Sequence, residues 1–143
     1  MNWGMIGAGL VMGIAAMGSA IGIGIAGQGA IGAWKRCYLN NKQAPFLLVV
    51  FAGAPLTQTI YGFLLMNSMR GKVADGLLDP LFALGLGLAC GLAMCMSAIA
   101  QGKAGAAGSD ALGVTGMGFT NYIMVVGLCE TVALFAMVFG MIA

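Results

Sequence analysis

A single carboxylate stands in the apolar final part of the sequence. Glu130 is the only charged residue between positions 111 and 143, a stretch long enough to form a membrane-spanning helix. If that helix begins near residue 119, Glu130 lies about 16 Å along it, close to the middle of a ~30 Å hydrocarbon core. A charge at that depth costs roughly 3 kcal/mol by insertion scales, so Glu130 is the candidate for a group that handles a proton or a cation.

Polar side chains on the neighbouring helices are expected at the same depth. Two residues of an antiparallel hairpin lie level with each other when they are equally far from the turn between them. A glycine-rich connection lies midway between Gln101 and Glu130. A polar connection that ends in a proline lies midway between Gln28 and Gln58. Each predicted hairpin therefore carries two polar side chains at one level.

More oxygen donors surround Gln58. Thr57 precedes it, and Tyr61 follows almost one helical turn later. Pro55 cannot donate a backbone hydrogen bond, so it frees a carbonyl one turn earlier, and its ring distorts the backbone so that a carbonyl such as that of Ala54 turns inward. One depth thus offers a carboxylate, two amides, a hydroxyl and a carbonyl, a set suited to a small hard cation with one positive charge.

Other interpretations of the same residues stay open. Glu130 can carry a proton, with the amides as its hydrogen-bond partners. Alternatively, Thr57, Gln58 and Gln101 join the helices by interhelical hydrogen bonds, as in a structural membrane bundle. A tetraspan channel is disfavoured, because a channel lines a continuous polar path and these residues occupy one depth.

The composition predicts the elements that carry these residues. The chain has 143 residues, of which 61% are hydrophobic and 7% charged, against about 25% charged in a typical soluble domain. These values exclude a soluble enzyme and a disordered chain. Charge-free runs, interrupted only by Glu130, predict four transmembrane helices within residues 1–34, 43–69, 80–102 and 111–143.

The two halves of the chain resemble each other, which indicates an internal duplication. Residues 25–29 align with residues 98–102, and Gln58 aligns within one residue of Glu130. We therefore expect an all-α membrane protein built from two antiparallel helical hairpins. The first hairpin comprises residues 1–72 and the second residues 73–143, packed in one membrane unit.

Glycine and bulky residues divide the predicted helices into two kinds. Glycine is concentrated in helices 1 and 3, whereas helices 2 and 4 carry most of the aromatic side chains. Because small residues let helices approach closely, we expect helices 1 and 3 in a tight inner layer and helices 2 and 4 outside it. Many copies would then form a ring of two concentric layers; an ordinary four-helix bundle is the alternative. A slight excess of Lys and Arg places the 1–2 and 3–4 loops in the cytoplasm and both termini outside.

In these motifs the chain resembles the proteolipid, or K/c, subunit of V-type and A/V-type rotary ATPases, over essentially its whole length. The matching motifs are Pro55 to Phe63, Ile99 to Lys103, and Glu130-Thr131. The resemblance implies a subunit of a membrane rotor ring, not itself an enzyme, in which Glu130 is the essential ion-translocating carboxylate.

The resemblance also implies a ligand set for Na⁺. The residues at the matching positions are Glu130, Gln101, Gln58, Thr57 and the backbone carbonyl of Ala54. Tyr61 matches the tyrosine that hydrogen-bonds the carboxylate. Leu56 stands where the family usually has glycine, and Ala54 where it usually has leucine. We expect Na⁺ rather than H⁺ alone, because a proton does not need this many oxygen donors.

The partners expected from the resemblance are further copies of the chain in a ring, a stator subunit with a basic residue, a central-stalk subunit on the cytoplasmic loops, and lipid. Neither nucleic acid nor a nucleotide site is expected. Ion flow would be coupled to ATP hydrolysis or synthesis in the partner subunits. A multi-pass protein of a prokaryotic cell membrane, rather than a vacuolar membrane, is expected.

Overall fold

The computed structural model describes residues 2–143 and is all-helical over that range. It has four rods, three of which are single helices: α1, Trp3–Leu39; α4, Pro80–Thr115; and α5, Phe119–Ile142. The second rod along the chain, called the broken rod, consists of α2, Leu48–Gly53, a 3-10 turn, Ala54–Leu56, and α3, Thr57–Ala74. Each rod is long and apolar enough to cross a membrane. The predicted fold of four membrane-length helices is therefore confirmed.

Two of the rods are longer than a bilayer requires. α1 has 37 residues and α4 has 36, so each is about 55 Å long, against a ~30 Å hydrocarbon core. Both continue past Lys35 and Lys103, as the positions of the predicted turns required. An ion pair between Arg36 and Asp110 joins their extensions. Because both side chains are exposed, this pair contributes at most about 1 kcal/mol.

Local chemistry sets both ends of α4. At its start, the Asp79 carboxylate accepts hydrogen bonds from the N–H groups of Leu81 and Phe82 at 3.0 and 2.9 Å, and Pro80 occupies the first helical position. At its end, Gly116 has φ of 67° and Gly118 has φ of 89°. Both values lie in the left-handed region that favours glycine, and they allow the chain to reverse directly into α5.

α1 and α4 pack in direct backbone contact. A Cβ at Gly22 would collide with the carbonyl oxygen of Ala98, and a Cβ at Gly102 would collide with the backbone of Gly22. The broken rod lies mainly against α1, and α5 lies mainly against α4. This arrangement agrees with the expectation that the two glycine-rich helices form the closest pair and the bulkier helices pack beside them.

The second rod changes its geometry at Pro55. Because proline has no N–H, the carbonyl of Phe51 lacks its usual helical donor; that oxygen faces α4, where a Cβ at Gly105 would lie 2.9 Å from it. The 3-10 turn that follows brings the Thr57 hydroxyl within 3.1 Å of the carbonyl oxygen of Ala54. Leu56 has φ of −73° and ψ of −28°, helical values open to any residue, so the turn does not require glycine there.

Candidate ion-binding site

The Glu130 carboxylate is held by two donors from two other rods. The Tyr61 hydroxyl, on α3, donates a hydrogen bond to Oε1 of Glu130 at 2.5 Å. The side-chain Nε2 of Gln101, on α4, donates to Oε2 at 3.2 Å. Both carboxylate oxygens thus accept hydrogen bonds, and the side chain is half-buried at the middle of α5.

Gln101 connects the carboxylate to the rest of the cluster. Its side chain is fully buried. The second proton of Nε2 points to the carbonyl oxygen of Val126 at 3.2 Å, one turn before Glu130 on α5. Its Oε1 accepts a hydrogen bond from Nε2 of Gln58 at 2.8 Å. Gln101 therefore touches both α5 and the broken rod, and its amide orientation is fixed at both ends.

Gln58 extends the network to the proline turn. It is fully buried, and its Nε2 donates to Oε1 of Gln101 and also to the Ser97 hydroxyl at 3.3 Å. Its Oε1 lies 3.3 Å from the Thr57 hydroxyl, which also lies within hydrogen-bond distance of the Ala54 carbonyl. Because both protons of the Gln58 amide point toward α4, its oxygen is directed toward Thr57.

The cluster carries one formal negative charge. Within residues 2–143, no Lys or Arg lies within 4 Å of Glu130, and no group of three His, Cys, Asp or Glu residues is close enough to hold a metal ion. A hard divalent cation such as Ca²⁺ usually has more carboxylate ligands, and a transition metal usually has nitrogen or sulfur ligands. One carboxylate among neutral oxygens is balanced by a proton or by a monovalent cation.

The structure brings all six predicted site residues into one hydrogen-bonded network. Glu130, Gln101 and Tyr61 form its charged end, whereas Gln58, Thr57 and the Ala54 carbonyl form its neutral end. The sequence placed Gln28 level with Gln58, but Gln28 is exposed on α1. Within the described residues, the side-chain partners of Gln58 on the other rods come from α4 instead.

Sequence reasoning missed Ser97. Its hydroxyl donates to the carbonyl oxygen of Cys129 at 2.6 Å and accepts from Nε2 of Gln58. Serine is common in helix interfaces and signals little alone. The available signal was its spacing, because Ser97 precedes Gln101 by four residues and so shares its helix face.

Comparison with known proteins identifies the wider group. The sequence model for the family of the ATP synthase C subunit matches residues 6–67 and again residues 84–143, one segment in each predicted hairpin. Over 139 residues the chain is 36% identical to the K subunit of the A-type ATP synthase of Methanocaldococcus jannaschii. The aligned region covers 97% of this chain and 60% of that protein, so the chain spans only part of its relative's length. With four membrane-length helices and matches to this family in both halves, the chain is an integral membrane protein and belongs to the ATP synthase C-subunit family, as a proteolipid c or K subunit of a rotary ATPase.

Proposed function

We propose that this chain forms a rotor ring that binds Na⁺ at Glu130 and carries it across the membrane. Ion flow would be coupled to ATP hydrolysis or synthesis in partner subunits, so the chain itself is not the catalytic part. The observation that carries the proposal is the continuous network from Glu130 through Gln101 and Gln58 to Thr57. It joins one charge to several neutral oxygens in a membrane-length bundle.

The donor set fits Na⁺ chemically. The candidate ligands are Glu130, Gln101, Gln58, Thr57 and the carbonyl of Ala54, all of which offer oxygen, the ligand atom preferred by hard cations. Three of these oxygens, those of Gln58, Thr57 and Ala54, cluster at the proline turn. In this proposal Tyr61 is not a ligand. It holds the carboxylate by donating to Oε1.

The proposed cycle follows from the cost of a charge in lipid. With Na⁺ bound, the charge of Glu130 is balanced, and the site can face hydrocarbon as the ring turns. Beside a stator subunit that presents a basic residue, the carboxylate pairs with that residue and the ion leaves. Offset entry and exit paths then convert ion flow into rotation.

The proposed assembly uses the two kinds of rod differently. α1 and α4 line the inside of the ring, and the broken rod and α5 lie outside, where Glu130 can reach a stator. The loops that follow α1 and α4 face the cytoplasm and contact a central-stalk subunit, since Lys42 lies in the first loop and Lys35, Arg36 and Lys103 lie in the parts of α1 and α4 that lead to these loops. Lipid covers the remaining apolar surface, and a prokaryotic cell membrane is the proposed location.

A proton-coupled rotor is the second candidate, and one contact favours it. The Tyr61 hydroxyl lies 2.5 Å from Oε1 of Glu130. Reversing this hydrogen bond would let a protonated Glu130 donate to Tyr61. In that case Gln58, Thr57 and Ala54 would take no part in the transport step.

The two candidates are separated by labelling Glu130 with a hydrophobic carbodiimide, which attacks protonated, buried carboxyl groups. We expect Na⁺ at constant pH to slow the labelling, because bound Na⁺ keeps the carboxylate deprotonated and shielded. Choline at equal ionic strength is the control and should not slow it. If pH alone changes the rate, the chain is a proton-coupled rotor and the sodium assignment is wrong.

Glu130→Gln provides the matched control for this experiment. The substitution keeps the size of the side chain but removes the charge, so the label should be lost and ion transport should fall to background. The chain should still fold, since the packing of α1 on α4 does not involve Glu130, and we expect the ring to assemble. Persistent transport in this variant would contradict every form of the proposal.

A further inference from the structure

We propose that Ser97 is a positioning residue that sets the sodium affinity of the site by holding the Gln58 amide with its oxygen toward Thr57. The inference rests on the proposed function of the site. It assigns no ligand role to Ser97, whose hydroxyl lies on the opposite side of the Gln58 amide from the proline turn.

The Ser97 hydroxyl can act on Gln58 only as an acceptor. A hydroxyl has one proton, and Ser97 donates it to the carbonyl oxygen of Cys129 at 2.6 Å. Its lone pairs then remain for Nε2 of Gln58, 3.3 Å away. Ser97 is 5% exposed and Gln58 is fully buried, so water has little access to replace this contact.

Two acceptors on α4 therefore define the orientation of the Gln58 amide. Oε1 of Gln101 takes one proton of Nε2 and the Ser97 hydroxyl takes the other. Turning the amide over would leave its oxygen facing two acceptors and its protons facing the Thr57 hydroxyl. The native orientation presents an oxygen to the proline turn, and a cation there needs that oxygen rather than an N–H group.

Ser97 also links this orientation to the helix that carries the charge. The carbonyl that it binds belongs to Cys129, the residue immediately before Glu130. One side chain on α4 therefore contacts α5 beside the carboxylate and the broken rod beside the neutral ligands. The direct hydrogen bonds to Glu130 come from Tyr61 and Gln101 rather than from Ser97, so removal of Ser97 should affect sodium more than the carboxylate itself.

The test compares Ser97→Ala with the wild-type ring by carbodiimide labelling of Glu130 over a range of Na⁺ concentrations at fixed pH. We expect the half-protecting Na⁺ concentration to rise roughly tenfold, the loss of about one hydrogen bond. The labelling rate without Na⁺ should stay within twofold. A merely structural role would move both quantities together.

Two further variants keep the test decisive. Ser109→Ala is the matched control, because Ser109 is also buried on α4 but its hydroxyl has no hydrogen-bond partner within residues 2–143. This substitution should leave both quantities unchanged. Ser97→Cys replaces the hydroxyl with a slightly larger thiol that is a weaker acceptor, and it should shift protection in the same direction. This variant provides the test if the alanine variant does not assemble.

The outcomes distinguish the two proposals. If Na⁺ protects the wild type and both Ser97 variants equally, the positioning role is wrong while the sodium site stands. The positioning role would also be wrong if Ser97→Ala changed the labelling rate without Na⁺ by the same factor as the half-protecting Na⁺ concentration, because Ser97 would then act only on packing. If Na⁺ fails to protect the wild type, both proposals are wrong.

Discussion

The two hairpins contribute unequally to the candidate site, although their sequences resemble each other. The second hairpin supplies Gln101 from α4 and Glu130 from α5, and these side chains touch directly. The first hairpin supplies side chains from its second rod only, chiefly Gln58 and Thr57. Gln28, which aligns with Gln101 in the repeat, lies exposed on α1.

This difference shows how two similar hairpins divide one task. The first hairpin has the neutral amide of Gln58 where the second has the carboxylate of Glu130, within one residue. Gln58 faces α4 and joins the cluster around Glu130 through Gln101. The broken rod, α4 and α5 together therefore build a single charged site, in which the second hairpin provides the charge and the first provides most of the neutral oxygens.

The largest effect is expected when the two aligned glutamines are compared. Gln101→Ala removes hydrogen bonds to Glu130, Val126 and Gln58, so we expect its half-protecting Na⁺ concentration to rise about 100-fold. Gln28→Ala should stay within twofold of the wild type, because Gln28 is exposed. The measurement is the Na⁺ protection of Glu130 against carbodiimide. Equal effects of the two substitutions would show that the hairpins share the site evenly.

A smaller effect is expected from substituting Gly102, one of the glycines of α4 that contact α1. Gly102→Ala places a methyl group against the backbone of Gly22, so the purified protein should lose about 2 kcal/mol of stability through overpacking. Gly85 is the matched control, because a Cβ there meets nothing within 4 Å; Gly85→Ala should be neutral or slightly stabilising. The measurement is thermal unfolding in detergent. Similar losses of stability in both variants would show that Gly102 does not lie at the close contact between α1 and α4.

Most of the fold follows from the sequence. Charge-free runs of the sequence mark the four rods, and the glycines of α1 and α4 indicate which two rods pack most closely. The start of α5 at Phe119 agrees with the expected start near residue 119. The break of the second rod into three helical segments was less predictable, because Pro55 indicates a distortion without specifying its form.

The sequence predicted the membrane depth of the site residues but not the helix face on which each of them lies. Equal distance from a turn places two residues at one level, which is why Gln101 and Glu130 were paired correctly. The same arithmetic cannot tell on which face of its helix a residue lies, so it did not distinguish Gln28, which is exposed, from Gln101, which is buried. It also could not find Ser97, whose role depends on the orientation of a neighbouring amide.

In the proposed function, each chain builds one sodium site from two unequal hairpins. The most direct measurement is the number of Na⁺ ions bound per chain, obtained with radioactive Na⁺ and the purified ring at saturating concentration. We predict one ion per chain in the wild type and none in Glu130→Gln. Two ions per chain, or none in the wild type, would contradict the account.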